Sequence, residues 1–220
     1  MTDHPRGALI VFEGIDNSGK STQKRAVSSY LKDIGEFHVK TRKYPDVVTV
    51  SGEAIAKALK QNVDEHTLHL LHAANRWETK QELEDLLKQG YTVILDRYYY
   101  SGIAYSYARN PDISADWCLA CEKGLLKPDK VFYFKIDVRD SIIRGEIASE
   151  GIDCKPPEPW EEDEGFLSVV KSVYETKLFD QDCKWRKIDA TQTIQRITEE
   201  LVLDILYTYE KVKHTPLEYI

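Results

Sequence analysis

The sequence predicts an α/β fold in which helices cover both faces of a five-stranded parallel sheet. Apolar runs of strand length alternate with longer amphipathic stretches along the 220 residues, which is typical of parallel strands joined by helices. Hydrophobic residues make up 42% of the chain, enough to bury a sizeable core, and 30% are charged, so that the chain is well solvated. Together these fractions exclude a disordered chain. No linker-like stretch divides the sequence, so residues 1–220 are predicted to form one domain.

Five segments have the length and the apolar content of buried strands. They are residues 8–13, 38–42, 91–95, 130–136 and 185–188. The longer stretches between and after these strands predict seven helices, at residues 20–33, 52–60, 65–89, 99–109, 115–124, 161–180 and 193–211. Leu68, Leu71 and Ala74 recur at helical spacing, which supports the long third helix.

Residues 151–160 interrupt this alternation of strands and helices. Pro156, Pro157 and Pro159 stand close to Gly151, and proline removes a backbone donor and clashes with a continuing helix. We therefore expect an irregular loop here, between a strand and a helix. The acidic stretch 158–164 fits a solvated first helical turn, which the helix dipole stabilises.

The charge balance and the cysteines limit the partners and the compartment. A net charge of −7 has the wrong sign for a protein that holds a phosphate backbone, so nucleic acid is not expected as a partner. No apolar run approaches the roughly 18 residues of a membrane span, and residues 1–6 lack the apolar core of a secretory signal. The four scattered cysteines are expected to be reduced thiols. We predict a protein of the cytoplasm or the nucleus, without a membrane partner.

Residues 14–21, here called the P-loop, match the pattern G-x-x-x-x-G-K-[ST]. The P-loop follows an apolar strand and precedes an amphipathic helix, which is the context that this pattern requires. Its glycines let backbone N–H groups converge on an anion, Lys20 neutralises the β and γ phosphates, and Ser21 ligates Mg²⁺. The sequence thus predicts a nucleoside triphosphate site. The predicted ATP-binding residues are Gly14, Asn17, Ser18, Gly19, Lys20, Ser21 and Thr22.

Asp96 and Arg97 follow the apolar strand at 91–95. Because parallel strands end at the same edge of a sheet, Asp96 is expected to approach the P-loop and to hold Mg²⁺ through water. Arg97 carries a planar fork that clamps phosphate oxygens. Without the P-loop, an Asp-Arg pair of this kind would be interpreted as a helix-capping aspartate and a surface arginine. The P-loop in the same sequence favours the phosphate site instead.

Several motifs resemble thymidylate kinases of the eukaryotic and poxviral form, in the same order and at similar spacing. They are RGALIVFEG at 6–14, LL at 70–71, ANRWE at 74–78, DRY at 96–98, SGIAY at 101–105, DWC at 116–118 and KPD at 127–129. The resemblance covers nearly the whole chain. It implies a three-layer P-loop kinase fold with a lid segment at about 144–160. It also implies ATP and dTMP as substrates, Mg²⁺ as cofactor and a homodimer.

The resemblance also implies roles for individual residues. Asp16 contacts the 3′ side of the deoxyribose, Arg76 hydrogen-bonds the thymine edge, Arg97 binds the dTMP phosphate, and Tyr105 crowds the place of a 2′-hydroxyl. The implied catalytic residues are Lys20, Asp16, Arg97 and Asp96. The implied dTMP-binding residues are Asp16, Arg42, Tyr44, His72, Arg76, Arg97, Ser101 and Tyr105.

Two departures from the family pattern affect the acceptor side. His72 replaces a phenylalanine that stacks on thymine, so we expect weaker stacking by a neutral imidazole. Val47 stands where the family has a phosphate-binding arginine. Of the neighbouring cations Arg42 and Lys43, the sequence favours Arg42, because a guanidinium fork suits a phosphate better than a point charge.

Two further departures affect the donor side. Asn17 replaces a basic residue over the transferring phosphoryl group, and Lys155 is the cationic substitute that residues 146–160 offer. The lid motif Glu-Arg-Tyr-Glu is replaced by EPWE at 158–161.

Two alternative functions stay open at the level of sequence. A deoxynucleoside kinase shares the P-loop and the carboxylate at the strand end, but it requires a general base beside the sugar 5′-hydroxyl. A nucleotide-binding protein of low turnover would explain the changes at Asn17 and Val47.

Overall fold

The computed structural model describes residues 5–35, 37–149, 158–178 and 184–220. Five parallel strands form one sheet in the order β2-β3-β1-β4-β5. Their bounds are β1 Leu9–Glu13, β2 Val39–Lys43, β3 Thr92–Asp96, β4 Lys130–Lys135 and β5 Trp185–Asp189. The predicted parallel sheet is confirmed, and each strand lies within two residues of its predicted bounds.

Nine helices are present in the part of the chain that the structure describes. They are α1 Lys20–Asp33, α2 Val50–Gln61, α3 Glu65–Glu78, α4 Lys80–Lys88, α5 Tyr99–Arg109, α6 Ala115–Glu122, α7 Val138–Ser149, α8 Glu164–Val173 and α9 Ile194–Val212. A 3-10 turn at Pro159–Glu161 precedes α8, and a π-helical turn at Tyr174–Leu178 continues it. No helix of these described segments is long and apolar enough to cross a membrane.

The alternation of side chains along β1 divides the core into two layers. Ile10 and Phe12 pack in one cluster with residues of α1, α8 and α9. Leu9 and Val11 pack in a second cluster with residues of α4 and α5. Because successive side chains of a strand point to opposite faces, the sheet has helices on both sides, as the three-layer prediction requires.

The long helix predicted at 65–89 is wrong, because the chain forms α3 and α4 with a break at Thr79. The Thr79 hydroxyl donates to the carbonyl of Arg76 at 3.1 Å and also meets the Tyr44 hydroxyl. Of the predicted apolar stripe, Leu68 is buried, whereas Ala74 is exposed. The apolar spacing alone did not distinguish one long helix from two consecutive helices.

Helix α7 was missed, and it occupies the start of the predicted lid at 144–160. Residues 144–149 are its last turns, and residues 150–157 lie outside the described part of the chain. Of the loop predicted at 151–160, the structure describes only residues 158–160, and a 3-10 turn begins there at Pro159. The predicted helix at 161–180 begins three residues later, at Glu164.

Candidate functional site

The P-loop joins the end of β1 to the start of α1 and takes backbone conformations that suit glycine. Gly14 has φ +144° and Gly19 has φ +94°. A Cβ at Gly14 would lie 2.8 Å from the carbonyl oxygen of Phe134 on β4. Gly19 directly precedes α1, so the free N–H groups of the first helical turn open toward an anion.

Lys20 lies almost fully buried inside the P-loop. Its Nζ donates to the carbonyl of Ile15 at 2.6 Å and to Ser18 Oγ at 3.1 Å. Burial, together with the nearby Arg97 guanidinium, lowers the pKa of Lys20 to about 7. The ammonium charge is therefore only partly present at neutral pH until a ligand supplies negative charge.

Asp96, at the end of β3, faces the P-loop as predicted from the sequence. Its Oδ2 accepts from Ser21 Oγ at 2.5 Å and lies 3.4 Å from Lys24 Nζ. Its Oδ1 is buried without a hydrogen-bond partner. Burial alone would raise the pKa of Asp96, but Lys20 and the Ser21 hydroxyl outweigh it and hold the pKa below its ordinary value. An ionised carboxylate with a free oxygen is a ligand for a hard cation.

Two adjoining cavities open at this edge of the sheet. The P-loop cavity is lined by the P-loop, Asp96, Arg144 and residues near Ala190. The aromatic cavity is lined by aromatic and basic side chains, among them Tyr44, His72, Arg76, Tyr105, Arg109 and Trp160. Asp16, Lys43, Arg97 and Glu161 line both cavities. A reaction between ligands in the two cavities would take place among these two cations and two carboxylates.

Arg97 is bonded on several sides at the junction of the cavities. Its Nη1 donates to the Gly14 carbonyl at 3.1 Å and to Ser101 Oγ at 3.2 Å, and its Nη2 donates to the Asp16 carboxylate. Tyr105 donates to Asp16 Oδ2 at 2.6 Å, and its ring centroid lies 5.0 Å from Arg97 Cζ. Arg97 and Lys20 overcome the effect of burial and lower the pKa of Asp16.

At the far end of the aromatic cavity, Arg76 forms a buried ion pair. Its Nε donates to Glu122 Oε2 at 2.9 Å, and its Nη2 donates to Oε1 of the same carboxylate. The pairing fixes the plane of the guanidinium. His72 lies nearby, and burial with the charges of Arg76 and Arg109 lowers its pKa to about 3. The imidazole is therefore neutral at physiological pH.

The structure separates Arg42 and Lys43. The guanidinium of Arg42 pairs with Asp46 and with Glu82, and it lines neither cavity. Lys43 lines both cavities. The reason is the alternation of side chains at the end of β2, which brings one of the two residues to the ligand side. Val47, where the sequence lacks an arginine, is 64% exposed.

Asn17 contacts the helix that sequence analysis missed. It has φ +54°, and a Cβ on Gly145 of α7 would lie 2.5 Å from Asn17 Nδ2. The same helix brings Arg144 into the wall of the P-loop cavity, where its Nη2 donates to the carbonyl of Ala190 at 2.9 Å. Lys155, the substitute predicted from the sequence, lies outside the described residues.

Glu13 is another site residue that sequence reasoning missed. It is the last residue of β1 and is fully buried. Its carboxylate accepts hydrogen bonds from Tyr98, Ser101 and Tyr174. Burial raises the pKa of Glu13, although these donors oppose the shift. A charged residue inside a predicted apolar strand was the available signal.

Comparisons with known proteins agree with this geometry. A family model described as thymidylate kinase matches residues 12–201. The thymidylate kinase of Dictyostelium discoideum is 37% identical over 214 residues, covering 96% of this chain and 90% of that protein. The human thymidylate kinase is 33% identical over 198 residues, covering 89% and 88%. A solved structure of thymidylate kinase from Candida albicans has a TM-score of 0.80 and 32% identity, and covers 98% of each chain.

The lowered pKa of Lys20 predicts that ATP binding takes up a proton. In the protein without ATP, the Lys20 side chain has a pKa of about 7, and phosphate charge should raise this pKa in the complex. Binding should therefore take up most of a proton near about pH 8, and ATP affinity should fall as the pH rises above about 7. Calorimetric titration in buffers of different ionisation enthalpy measures the uptake.

The exposed Lys32 on the same helix gives the control for this titration. Lys32→Met should keep the proton uptake, whereas Lys20→Met should remove it. Equal uptake in both variants would contradict the prediction.

Proposed function

This chain belongs to the thymidylate kinase family, and we propose how its residues carry out the transfer of the γ-phosphoryl group of ATP to dTMP. The products are ADP and dTDP. The observation that carries the proposal is the junction of the two cavities, which Asp16, Lys43, Arg97 and Glu161 share. ATP would occupy the P-loop cavity and dTMP the aromatic cavity, so that the two phosphates meet at this junction.

Catalysis needs no protein nucleophile, because the acceptor phosphate is already an anion at neutral pH. Phosphoryl transfer then depends on in-line positioning and on neutralising the charge of the transferring group. On the donor side, the backbone N–H groups of the P-loop bind the phosphates, and Lys20 contacts the β and γ phosphates. Arg144 adds a further cation to the wall of the same cavity.

The residues at the end of β3 fit a magnesium ion. Asp96 is ionised, its buried Oδ1 lacks a partner, and Ser21 Oγ lies 2.5 Å from its Oδ2. Oxygen ligands of this kind suit Mg²⁺. Asp96, through water, and Ser21 would hold the ion, which when bound neutralises phosphate charge.

On the acceptor side, the aromatic cavity supplies a distinct contact for each part of dTMP. Arg97 binds the phosphate, Asp16 faces the deoxyribose, and Tyr105 occupies the space that a 2′-hydroxyl needs. Arg76, oriented by Glu122, donates to the thymine edge, and the neutral His72 packs against the ring. Tyr44 and Ser101 complete the wall.

We also propose that Lys43, rather than Arg42, is the second phosphate ligand of the acceptor. Lys43 lines both cavities, and no acidic partner lies within salt-bridge distance of it among the described residues. Arg42 is already neutralised by Asp46 and Glu82. The position of the side chain at the end of β2 therefore matters more for phosphate binding than the shape of the cation.

An ADP-release assay with dTMP, dUMP, UMP and thymidine as acceptors tests the proposed reaction. We expect turnover with dTMP, weaker turnover with UMP and none with thymidine, which carries no phosphate. Lys20→Ala should lower kcat at least about 100-fold, because it removes a charge that contacts the transferring group.

Lys32→Ala is the control for Lys20→Ala and should match the wild type. Thymidine as the preferred acceptor would favour a deoxynucleoside kinase. Nucleotide binding without turnover would favour the binding protein of low turnover.

The acceptor KM separates Lys43 from Arg42. A charge-assisted hydrogen bond to phosphate contributes about 1.5–3 kcal/mol, so Lys43→Ala should raise the KM for dTMP by about 10-fold or more. Lys43→Arg should restore most of the affinity. Arg42→Ala should leave the KM within about twofold, and the opposite pattern would return the role to Arg42.

We propose that α3 forms a homodimer interface. Leu70 is 50% exposed and Trp77 40% exposed, and with Ala74 they follow the i, i+4, i+7 spacing of one helical face. An apolar stripe of this kind fits a second copy of the same helix.

Light scattering after gel filtration tests this interface. The wild type should have the mass of a dimer, and Leu70→Glu should have the mass of a monomer, because a charge would be buried in the contact. Leu203→Glu, at a residue 70% exposed on α9, is the control and should remain dimeric. A monomeric wild type at micromolar concentration would contradict the proposal.

A further inference from the structure

Arg97 has a backbone conformation that needs support. Its φ is +71°, in the left-handed region that residues with a side chain seldom adopt. Its own backbone N–H donates to the carbonyl of Phe12 on β1 at 2.9 Å. Strained conformations persist where the surroundings fix them, and they concentrate at functional sites.

Glu13 accepts hydrogen bonds from two backbone N–H groups shortly after Arg97, those of Tyr98 and Ser101. Its Oε1 accepts from Tyr98 N at 2.8 Å and from Ser101 N at 3.3 Å. Tyr98 is the N-cap residue of α5, and its own side chain forms no capping hydrogen bond. Ser101 is the third residue of that helix, and its N–H is the group that an N-cap side chain normally binds. The side chain of Glu13, on β1, therefore caps the N-terminus of α5.

The second oxygen of Glu13 connects to the Arg97 guanidinium. Glu13 Oε2 accepts from Ser101 Oγ at 2.6 Å and from the Tyr174 hydroxyl at 2.7 Å. Ser101 Oγ in turn accepts from Arg97 Nη1 at 3.2 Å. One buried carboxylate thus holds both the backbone after Arg97 and the hydroxyl that receives its side chain.

We propose that Glu13 is a positioning residue that holds Arg97 in the orientation required for the acceptor phosphate. Tyr174, on the π-helical turn after α8, completes the arrangement by donating to the same carboxylate. The inference rests on the proposed role of Arg97 as a phosphate ligand. Glu13 itself lines neither cavity, so it acts through the residues that it holds, which are Tyr98, Ser101 and, through Ser101, Arg97.

Calorimetric binding of dTMP and of thymidine separates positioning from a merely structural role. If Glu13 acts through Arg97, Glu13→Gln should weaken dTMP binding about 10-fold and leave thymidine binding within about twofold, because thymidine lacks the phosphate. Arg97→Met should show the same selectivity, and adding Glu13→Gln to Arg97→Met should produce no further loss. Equal losses for dTMP and thymidine would overturn the proposal.

The same binding measurements distinguish a failure of the proposed role of Arg97 from a failure of the role of Glu13. If the ratio of dTMP affinity to thymidine affinity is the same in Arg97→Met as in the wild type, the proposed role of Arg97 fails. If Arg97→Met loses dTMP selectively and Glu13→Gln does not, the role of Glu13 alone fails.

Tyr174→Phe provides a milder variant in case Glu13→Gln does not fold. It removes one donor to Glu13 and should weaken dTMP binding about threefold, with thymidine unaffected. The control is Tyr133→Phe, because the Tyr133 ring stacks on Tyr174 at 5.3 Å and its hydroxyl bonds Glu175 instead. Identical dTMP affinity in the two variants would overturn the proposal.

Discussion

The guanidinium of Arg97 sits where the two cavities meet, with only 11% of its side chain exposed. A buried cation is costly unless its hydrogen bonds are satisfied and its charge is compensated. Asp16 compensates the charge, and Gly14 and Ser101 accept further hydrogen bonds. The P-loop and the start of α5 are thereby bound to one another through a single side chain.

The same charge affects the rest of the site. Arg97 helps to lower the pKa of Asp16 and of Lys20, so the ligand-free site holds an ionised carboxylate and a lysine that is only partly charged. A triphosphate in the P-loop cavity would add negative charge beside Lys20 and so favour its ammonium form. Lys20 would thus gain its full positive charge only with the ligand bound, which limits the free-energy cost of burying several cations together.

The sequence predicted the features that depend on local pattern. The five strands, the P-loop and the approach of Asp96 follow from short runs and from the geometry of a parallel sheet. The break at Thr79 was not predicted, because amphipathic spacing continues across it. Helix α7 was not predicted, and with it Arg144 was missed.

Residues whose role depends on distant partners were also missed from the sequence. Glu13 meets Tyr174 and Glu122 meets Arg76 across separations that no local pattern records. The preference for Arg42 over Lys43, predicted from the sequence, depended on side-chain chemistry and not on a distant partner. It compared the chemistry of two side chains, whereas their placement at the end of β2 depends on which residue the strand directs toward the ligand.

The cations of the aromatic cavity differ in how fully they are compensated. Arg76 is paired with Glu122, Arg97 with Asp16, and Arg109 lies 3.7 Å from Glu65. His72 stays uncharged among them. Lys43 is the lining cation without an acidic partner at salt-bridge distance in the described part of the chain. Beside Arg97, the junction therefore holds Lys43 without a close ion pair among the described residues, and the Glu161 carboxylate attracts its charge at longer range. Among the described lining residues, Lys43 is therefore the cation that an anionic ligand reaches without breaking a close ion pair.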